Sequence, residues 1–379
     1  MESKRNYEVA DSHPMNGGQG PYSYVQNSNY QRGAVEASKE MIEEAIIKHF
    51  DVNKTLNSAS FLNQIFLADL GCSTGPNTFL AVQNILEAIQ LKYQLEKRRH
   101  LDHSDDHHVH QIPVTFQVFF NDHFSNDFNT LFRSLPPTRK YLAAGVPGSF
   151  HGRLFPNSSL HFVHCSYSLH WLSKVPSQVM DSTSPAWNKG RIHYTNAGKE
   201  VVKAYSDQYA EDMLSFLHAR AEELVVGGLM VLLIPAVPDI LLPSDTTNGT
   251  EKDLLGSCLV DMAKMGLVSE ERVDSFNLPM YYSSPSELKA IIERNEHFSI
   301  ERMEKLNNPK KHLSLPNLQM RVYYLRAALE GLLQKHFGAE IMDELFNRFS
   351  KKVAESTFFL NPQNQKSIVL FVLLKRNPN

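Results

Sequence analysis

A chain of 379 residues that is 42% hydrophobic and 21% charged has an ordinary globular composition, long enough for one large domain or two of moderate size. A formal charge of -3 argues against a nucleic-acid polyanion as partner, and three scattered cysteines (Cys72, Cys165, Cys258) exclude a disulfide framework or a thiolate metal cluster. The opening MESKRNYEVADSHPMNGG has neither a signal peptide's apolar core nor a transit peptide's character, and no apolar run reaches bilayer length, so a cytoplasmic protein without membrane association is expected.

Residues 1–22 are rich in Gly, Pro and polar side chains without periodicity, and read as a flexible arm. Val35, Met41, Ile42, Ala45, Ile46 and Phe50 then recur at helical spacing and predict one amphipathic helix from Gln31 to Phe50. A strand at Gln64–Leu70 leads through a turn holding Gly71 and Gly75 into a helix from Asn77 to Lys97. HLDHSDDHHVH at 100–110 crowds imidazoles and carboxylates, but no helical or hairpin spacing fixes them as ligands, so it reads as a solvated loop. VTFQVFF at 114–120 completes the strand-helix-strand order of a doubly wound α/β sheet.

Tyr141–Val146, Leu160–Cys165 and Leu229–Pro235 read as further buried strands. Between the last two, Val202, Tyr205, Tyr209, Met213, Phe216, Leu217 and Leu224 mark a long helix that stops at Gly227 and Gly228. Ser284, Pro285 and Glu287 make a capping box with Pro at the first helical position, opening a helix to Asn295. Ile300–Leu306 and Ser367–Lys375 close the chain as strands, while segments 178–200, 236–281 and 307–365 are expected as a cap over the sheet's carboxyl edge.

The turn DLGCSTG at 69–75 lets a ligand approach the backbone closely, but it lacks the full glycine pattern of a pyrophosphate site. An acid at the strand end would repel a diphosphate. It suits an amine, hydroxyls or a sulfonium cation, which favours S-adenosylmethionine over NAD. Asp122 ends the next strand, where it either accepts from a ribose diol or caps the following segment. Ser149 and Phe150 supply a small hydroxyl and an aromatic face for an adenine.

MNGGQGPYSYVQNSNYQ at 15–31, DLGCSTGPNTF at 69–79, FFNDHFSNDFNTLFRSLP at 119–136, GVPGSFHGRLFP at 145–156, CSYSLHWLSKVP at 165–176, NKGRIHYT at 188–195 and DSFNLPMY at 274–281 together resemble the plant SABATH methyltransferases, in the family's order. Within the family the pattern is most similar to the loganic-acid type of carboxyl methyltransferase. The resemblance implies a class I methyltransferase fold, a Rossmann-like, mostly parallel sheet with helices on both faces and a helical cap. It also implies an amino-terminal arm, residues 1–30, closing over the active site of a domain at 31–379, and usually a homodimer.

By motif match, Tyr24, Ser28, Asp69, Cys72 and Asn77 would hold the cofactor, with Asp122 at the ribose and Ser149 and Phe150 around the adenine. His123 departs from the apolar residue, often Leu, that the family usually has beside the adenosine. Gln31 and Trp171 would grip the carboxylate of a small-molecule acid, with Tyr167 and His170 lining its pocket. An amide N–H and an indole N–H are neutral donors, whereas an Arg fork would also tie up the attacking oxygen. A carboxylate is already ionised at neutral pH and needs no general base, so catalysis reduces to desolvation and in-line placement.

Asn188, Asp274, the Phe276 main-chain oxygen and Asn277 match an all-oxygen set for a structural Mg2+ found in some members. Two rivals remain open. One is an N-methyltransferase for a xanthine-like heterocycle, with His170 helping to remove a proton; the other is a non-catalytic protein that holds a small acid. Among acids, the loganic-type monoterpenoids come first, followed by hormone-like acids.

Overall fold

The computed structural model describes residues 13–52, 64–101, 114–306, 317–361, 364 and 366–378. The His- and Asp-rich segment therefore lies almost wholly outside the described residues, as does 307–316 of the expected cap. Among the described residues seven strands form one sheet: β1 (Gln64–Leu70), β2 (Thr115–Asp122), β3 (Leu142–Pro147), β4 (Leu160–Ser166), β5 (Leu224–Ala236), β6 (Phe298–Lys305) and β7 (Ile368–Arg376). Their order is β3-β2-β1-β4-β5-β7-β6. The first five are mutually parallel, and β7 runs antiparallel between β5 and β6.

Strand pleating sorts the core into two layers. Leu229, Val231 and Leu233 of β5 join Phe79, Val82 and Ile85 of helix α3 (Pro76–Leu101) on one face. Met230, Leu232 and Ile234 join Tyr209, Met213 and Phe216 of α5 (Lys199–Glu223) on the other. Helices thus cover both faces, as the parallel strands require. The first face also packs α1 (Asn29–Ala37) and α2 (Lys39–His49), and the short α4 (Phe128–Arg133) follows β2. A separate apolar cluster unites α6 (Thr247–Lys264), α8 (Leu318–Phe337) and α9 (Met342–Glu355). The capping box opens α7 (Pro285–Asn295), where Ser284 Oγ accepts from Glu287 N at 3.3 Å and the Glu287 carboxylate accepts from Ser284 N at 3.4 Å. Among the described residues, no helix is long and apolar enough to cross a membrane.

Four local expectations are corrected. The helix expected over Gln31–Phe50 is two, because Ser38 turns its hydroxyl back to the Val35 carbonyl at 2.9 Å and breaks the run. The long helix ends at Glu223, before the glycine pair: Ser158 and Ser159 N–H groups take the carbonyls of Glu222 and Glu223, both at 2.8 Å, and the chain enters β5 directly. Gly227, at φ +82, therefore lies within β5. β3 is an edge strand, so its side chains are partly or fully exposed. Residues 13–22 are anchored: Asn16 N donates to Ala327 O at 2.9 Å, Arg326 lies 3.9 Å over the Tyr22 ring, and Gly18 N donates to Asp127 at 2.9 Å.

Candidate functional site

The turn after β1 is built on Gly71, whose φ is +76 and where a Cβ would stand 2.0 Å from Ser168 Oγ. Only glycine fits there. The N–H groups of Gly71 and Cys72 both donate to Asn121 O at 2.9 Å, which fastens the turn to β2. Asp69 and His164 sit opposite one another on adjacent parallel strands, and His164 Nδ1 donates to Asp69 Oδ1 at 2.6 Å. The other carboxylate oxygen of Asp69 accepts from the Thr78 hydroxyl of α3. Burial, with Asp122 and Asp69 nearby, pushes the Cys72 thiol pKa well up, so it stays protonated.

Asp122 closes β2 and accepts N–H bonds from Ser73 and His123, each at 2.7 Å. Burial raises its pKa to about 6, partly offset by those two donors and helped by the charge of Asp69. The loop after β3 is held by α5. Arg220 donates to the carbonyls of Phe150 at 2.6 Å and Gly152 at 2.8 Å, while Glu223 accepts from Leu154 N at 2.5 Å and Phe155 N at 3.0 Å. Arg220 and Glu223 are fully buried and paired at 2.7 Å. Ser149, at the loop's mouth, is exposed.

Beyond β4 the backbone turns at Tyr167, a non-glycine residue at φ 57, whose N–H donates to Leu233 O at 2.9 Å. Such strain persists only where the surroundings dictate it. Trp171 forms an isolated antiparallel bridge with Met280, flanked by Leu172 N to Pro279 O and Tyr281 N to His170 O, both 2.8 Å. His170 is buried and stacks on Tyr282 at 5.3 Å; burial first, then the Lys252 charge, drive its pKa down to about 3.

Two cavities meet here, sharing Tyr24, Gly71, Ser73 and Ser166. The larger, with about 680 Å³ of empty space including its open mouth, is lined by Asp122, His123, Ser149, Phe150, Tyr167 and Trp171 among others. The smaller, with about 390 Å³, is lined by Gln31, Asp69, Cys72, Asn77, Thr78 and His164 among others. Among the described residues, neither lining includes Lys or Arg. Gln31 lines the smaller cavity and Trp171 the larger, and the two cavities adjoin. Ser28 lines neither; its Oγ accepts from Asn77 Nδ2 at 3.0 Å, tying the start of α1 to α3. His170 lies behind Trp171 without lining either cavity.

Among the described residues, buried polar atoms without partners occur along these walls: Ser73 Oγ, Ser166 Oγ, His151 Nδ1, Gln31 Oε1 and His164 Nε2. Buried polar groups are normally paired, so such a row marks where a ligand's polar groups belong. His164, Thr78, Ser73, Ser166 and His151 escaped the sequence reading. The available signal was a pair of histidines, His161 and His164, in the buried strand LHFVHCS.

Away from the cavities, Asn188 Nδ2 donates to Asn277 Oδ1 at 2.7 Å, and Asp274 Oδ1 accepts from Gly190 N at 2.7 Å. Asn188 Oδ1 is buried without a partner, which fits a hard cation. No group of three or more His, Cys, Asp or Glu suited to a metal occurs among the described residues.

Comparison with known proteins agrees with this geometry. The family model described as SAM dependent carboxyl methyltransferase matches residues 10–377. Loganic acid O-methyltransferase of Catharanthus roseus is 46% identical over 374 residues, covering 98% of this chain and 96% of that protein. Paraxanthine methyltransferase 2 of Arabidopsis thaliana is 39% identical over 361 residues, covering 95% of this chain and 98% of that protein. A solved structure of loganic acid methyltransferase with SAH matches at a TM-score of 0.89 and 46% identity, covering 97% of this chain and 99% of that one. With the doubly wound sheet, the glycine turn and the seven collinear motifs, these matches establish that the chain belongs to the SABATH family of S-adenosylmethionine-dependent carboxyl methyltransferases.

Proposed function

We propose that the acceptor is a small monoterpenoid acid of the loganic-acid kind, converted to its methyl ester by direct in-line transfer from S-adenosylmethionine. The observation that carries this reading is the 46% identity to loganic acid O-methyltransferase over 98% of this chain, and the buried state of His170 agrees with a carboxylate acceptor. With a pKa near 3 that histidine is too weak a base to serve a ring N–H or hydroxyl acceptor at neutral pH. A carboxylate arrives already ionised.

In this reading the larger cavity takes the adenosine, with Asp122 accepting from the ribose diol and Ser149, Phe150 and His123 around the base. The smaller takes the amino-acid end beside Asp69, Cys72 and Asn77, with Tyr24 between the two. Trp171 donates its indole N–H to the acid, Gln31 donates from the adjoining chamber, and Tyr167 lines the space between them. Among the described residues neither lining brings a Lys or Arg, which supports the choice, because the attacking oxygen keeps its lone pairs. Transfer turns a carboxylate and a sulfonium into a neutral ester and a neutral thioether, so product release loses an electrostatic hold.

The arm, residues 1–30, would close the site, and the chain would act as a cytoplasmic homodimer. A Mg2+ held by Asn188, Asp274, the Phe276 carbonyl and Asn277 would tie two cap segments together and take no part in transfer. The match to a paraxanthine methyltransferase favours one rival, N-methylation of a xanthine-like heterocycle. Incubating the purified chain with labelled donor and a panel of acids and xanthines separates them: ester formation supports the proposal, and N-methylation alone overturns it.

A further inference from the structure

We infer that His164 is a binding residue for the methyl donor: Nδ1–H fixes Asp69, and Nε2 accepts a hydrogen bond from the amino group of the donor's amino-acid end. The inference rests on reading the smaller cavity as the amino-acid half of the donor site. His164 is 1% exposed, lines that cavity, and its Nε2 has no partner among the described residues. Asp69 can only accept, so the 2.6 Å contact to Oδ1 requires the proton on Nδ1. In the neutral ring Nε2 then carries a lone pair, and a buried acceptor facing a ligand cavity calls for a donor.

The surroundings say which donor. The carboxylate of Asp69, the unpartnered Ser166 Oγ and His164 Nε2 gather acceptors on one wall, which matches an ammonium with its three N–H groups. The 26-residue helix α3 begins beside Asp69, at Pro76, with Asn77 and Thr78 in the cavity lining. A helix N-terminus favours an anion, so the same chamber suits both an α-carboxylate and an α-ammonium. Thr78 ties the helix start to Asp69 by donating to its second oxygen. His164 thereby does two jobs, setting the Asp69 carboxylate and making its own contact.

Calorimetric titration of the full chain tests this with two ligands, S-adenosylhomocysteine and its analogue carrying hydrogen in place of the amino group. Wild type should bind the amino form roughly tenfold or more tightly than the deamino form, as expected for a hydrogen bond to a charged group. In His164→Asn the amide Nδ2 keeps a donor towards Asp69 while the Nε2 acceptor is lost. That variant should lose affinity for the amino form and discriminate between the two ligands several-fold less than wild type, the remainder coming from Asp69 and Ser166. Wild type that does not discriminate, or a folded variant that loses both ligands alike, overturns the assignment. Failure of wild type to bind either ligand would overturn the reading of the cavities beneath it. If His164→Asn does not fold, His164→Gln, whose Oε1 can accept where Nε2 does, should keep more of the discrimination than His164→Ala, and equal loss in the two overturns the assignment.

Discussion

The His170 imidazole lies against the Tyr282 ring, 5.3 Å between centroids and 19° between planes, and this places it out of contact with water. A buried ring with a pKa near 3 is neutral throughout the physiological range. Turnover should therefore be nearly flat from about pH 6 to 8.5, and His170→Asn should keep that shape. A limb with a pKa near 6.5 that vanishes in the variant, with chemistry rate-limiting, would contradict this. Stability carries the matching sign. His170 and His193, both lowered from 6.5 to about 3, leave the folded state short of protons relative to the unfolded chain, so stability is fully present above about pH 6.5 and is lost as pH falls towards 3.

Asp122 has the opposite shift. Raised from 3.8 to about 6, it costs the unliganded fold stability above pH 6, a cost relieved as pH falls towards 3.8. A ribose diol donating to the charged form should reverse part of that shift. Affinity for S-adenosylhomocysteine should thus weaken below about pH 6, and Asp122→Ala should cost roughly 1.5 to 3 kcal/mol of binding at pH 7.5. Calorimetry at pH 5.5 and 7.5 checks both statements. Unchanged affinity in a folded variant would leave Asp122 as no more than the acceptor of Ser73 N and His123 N.

Trp171→Phe keeps the aromatic bulk against Met280 and removes one donor. We expect acid turnover to fall by one to two orders of magnitude, about 1.4 to 2.7 kcal/mol of transition-state stabilisation, with donor affinity almost unchanged. Equal loss of both would show a packing role.

Arg220 and Glu223 clamp the loop that presents Ser149 and Phe150 from a position with no exposure of their own. Arg220→Met leaves Glu223 buried and unpaired, at a cost of about 3 to 5 kcal/mol. A thermal melt should show a clear drop, and nucleoside affinity should fall with it because the loop loses its anchors. Unchanged melting would mean that Glu223 finds another partner.

Local signals made much of the molecule readable from its residues. Apolar runs at β1, β4 and β5, the glycine turn and the Ser284–Glu287 box each fix their structure within a few positions. What stayed hidden depends on distance. Ser38 splits a helix while the apolar period continues across it, and Gly227 looks like a helix stop although serines before β4 had already taken the last carbonyls. His164 acquires its meaning only from Asp69, 95 positions earlier, once two strands pair in parallel.

The central claim is that the acceptor atom is a carboxylate oxygen. Mass spectrometry of products from the purified chain, given methyl-labelled S-adenosylmethionine with loganic acid, related monoterpenoid and hormone-like acids, and xanthines in parallel, tests it most directly. The account predicts label in a base-hydrolysable methyl ester of at least one acid and none in the xanthines. Label found only on a ring nitrogen would contradict it.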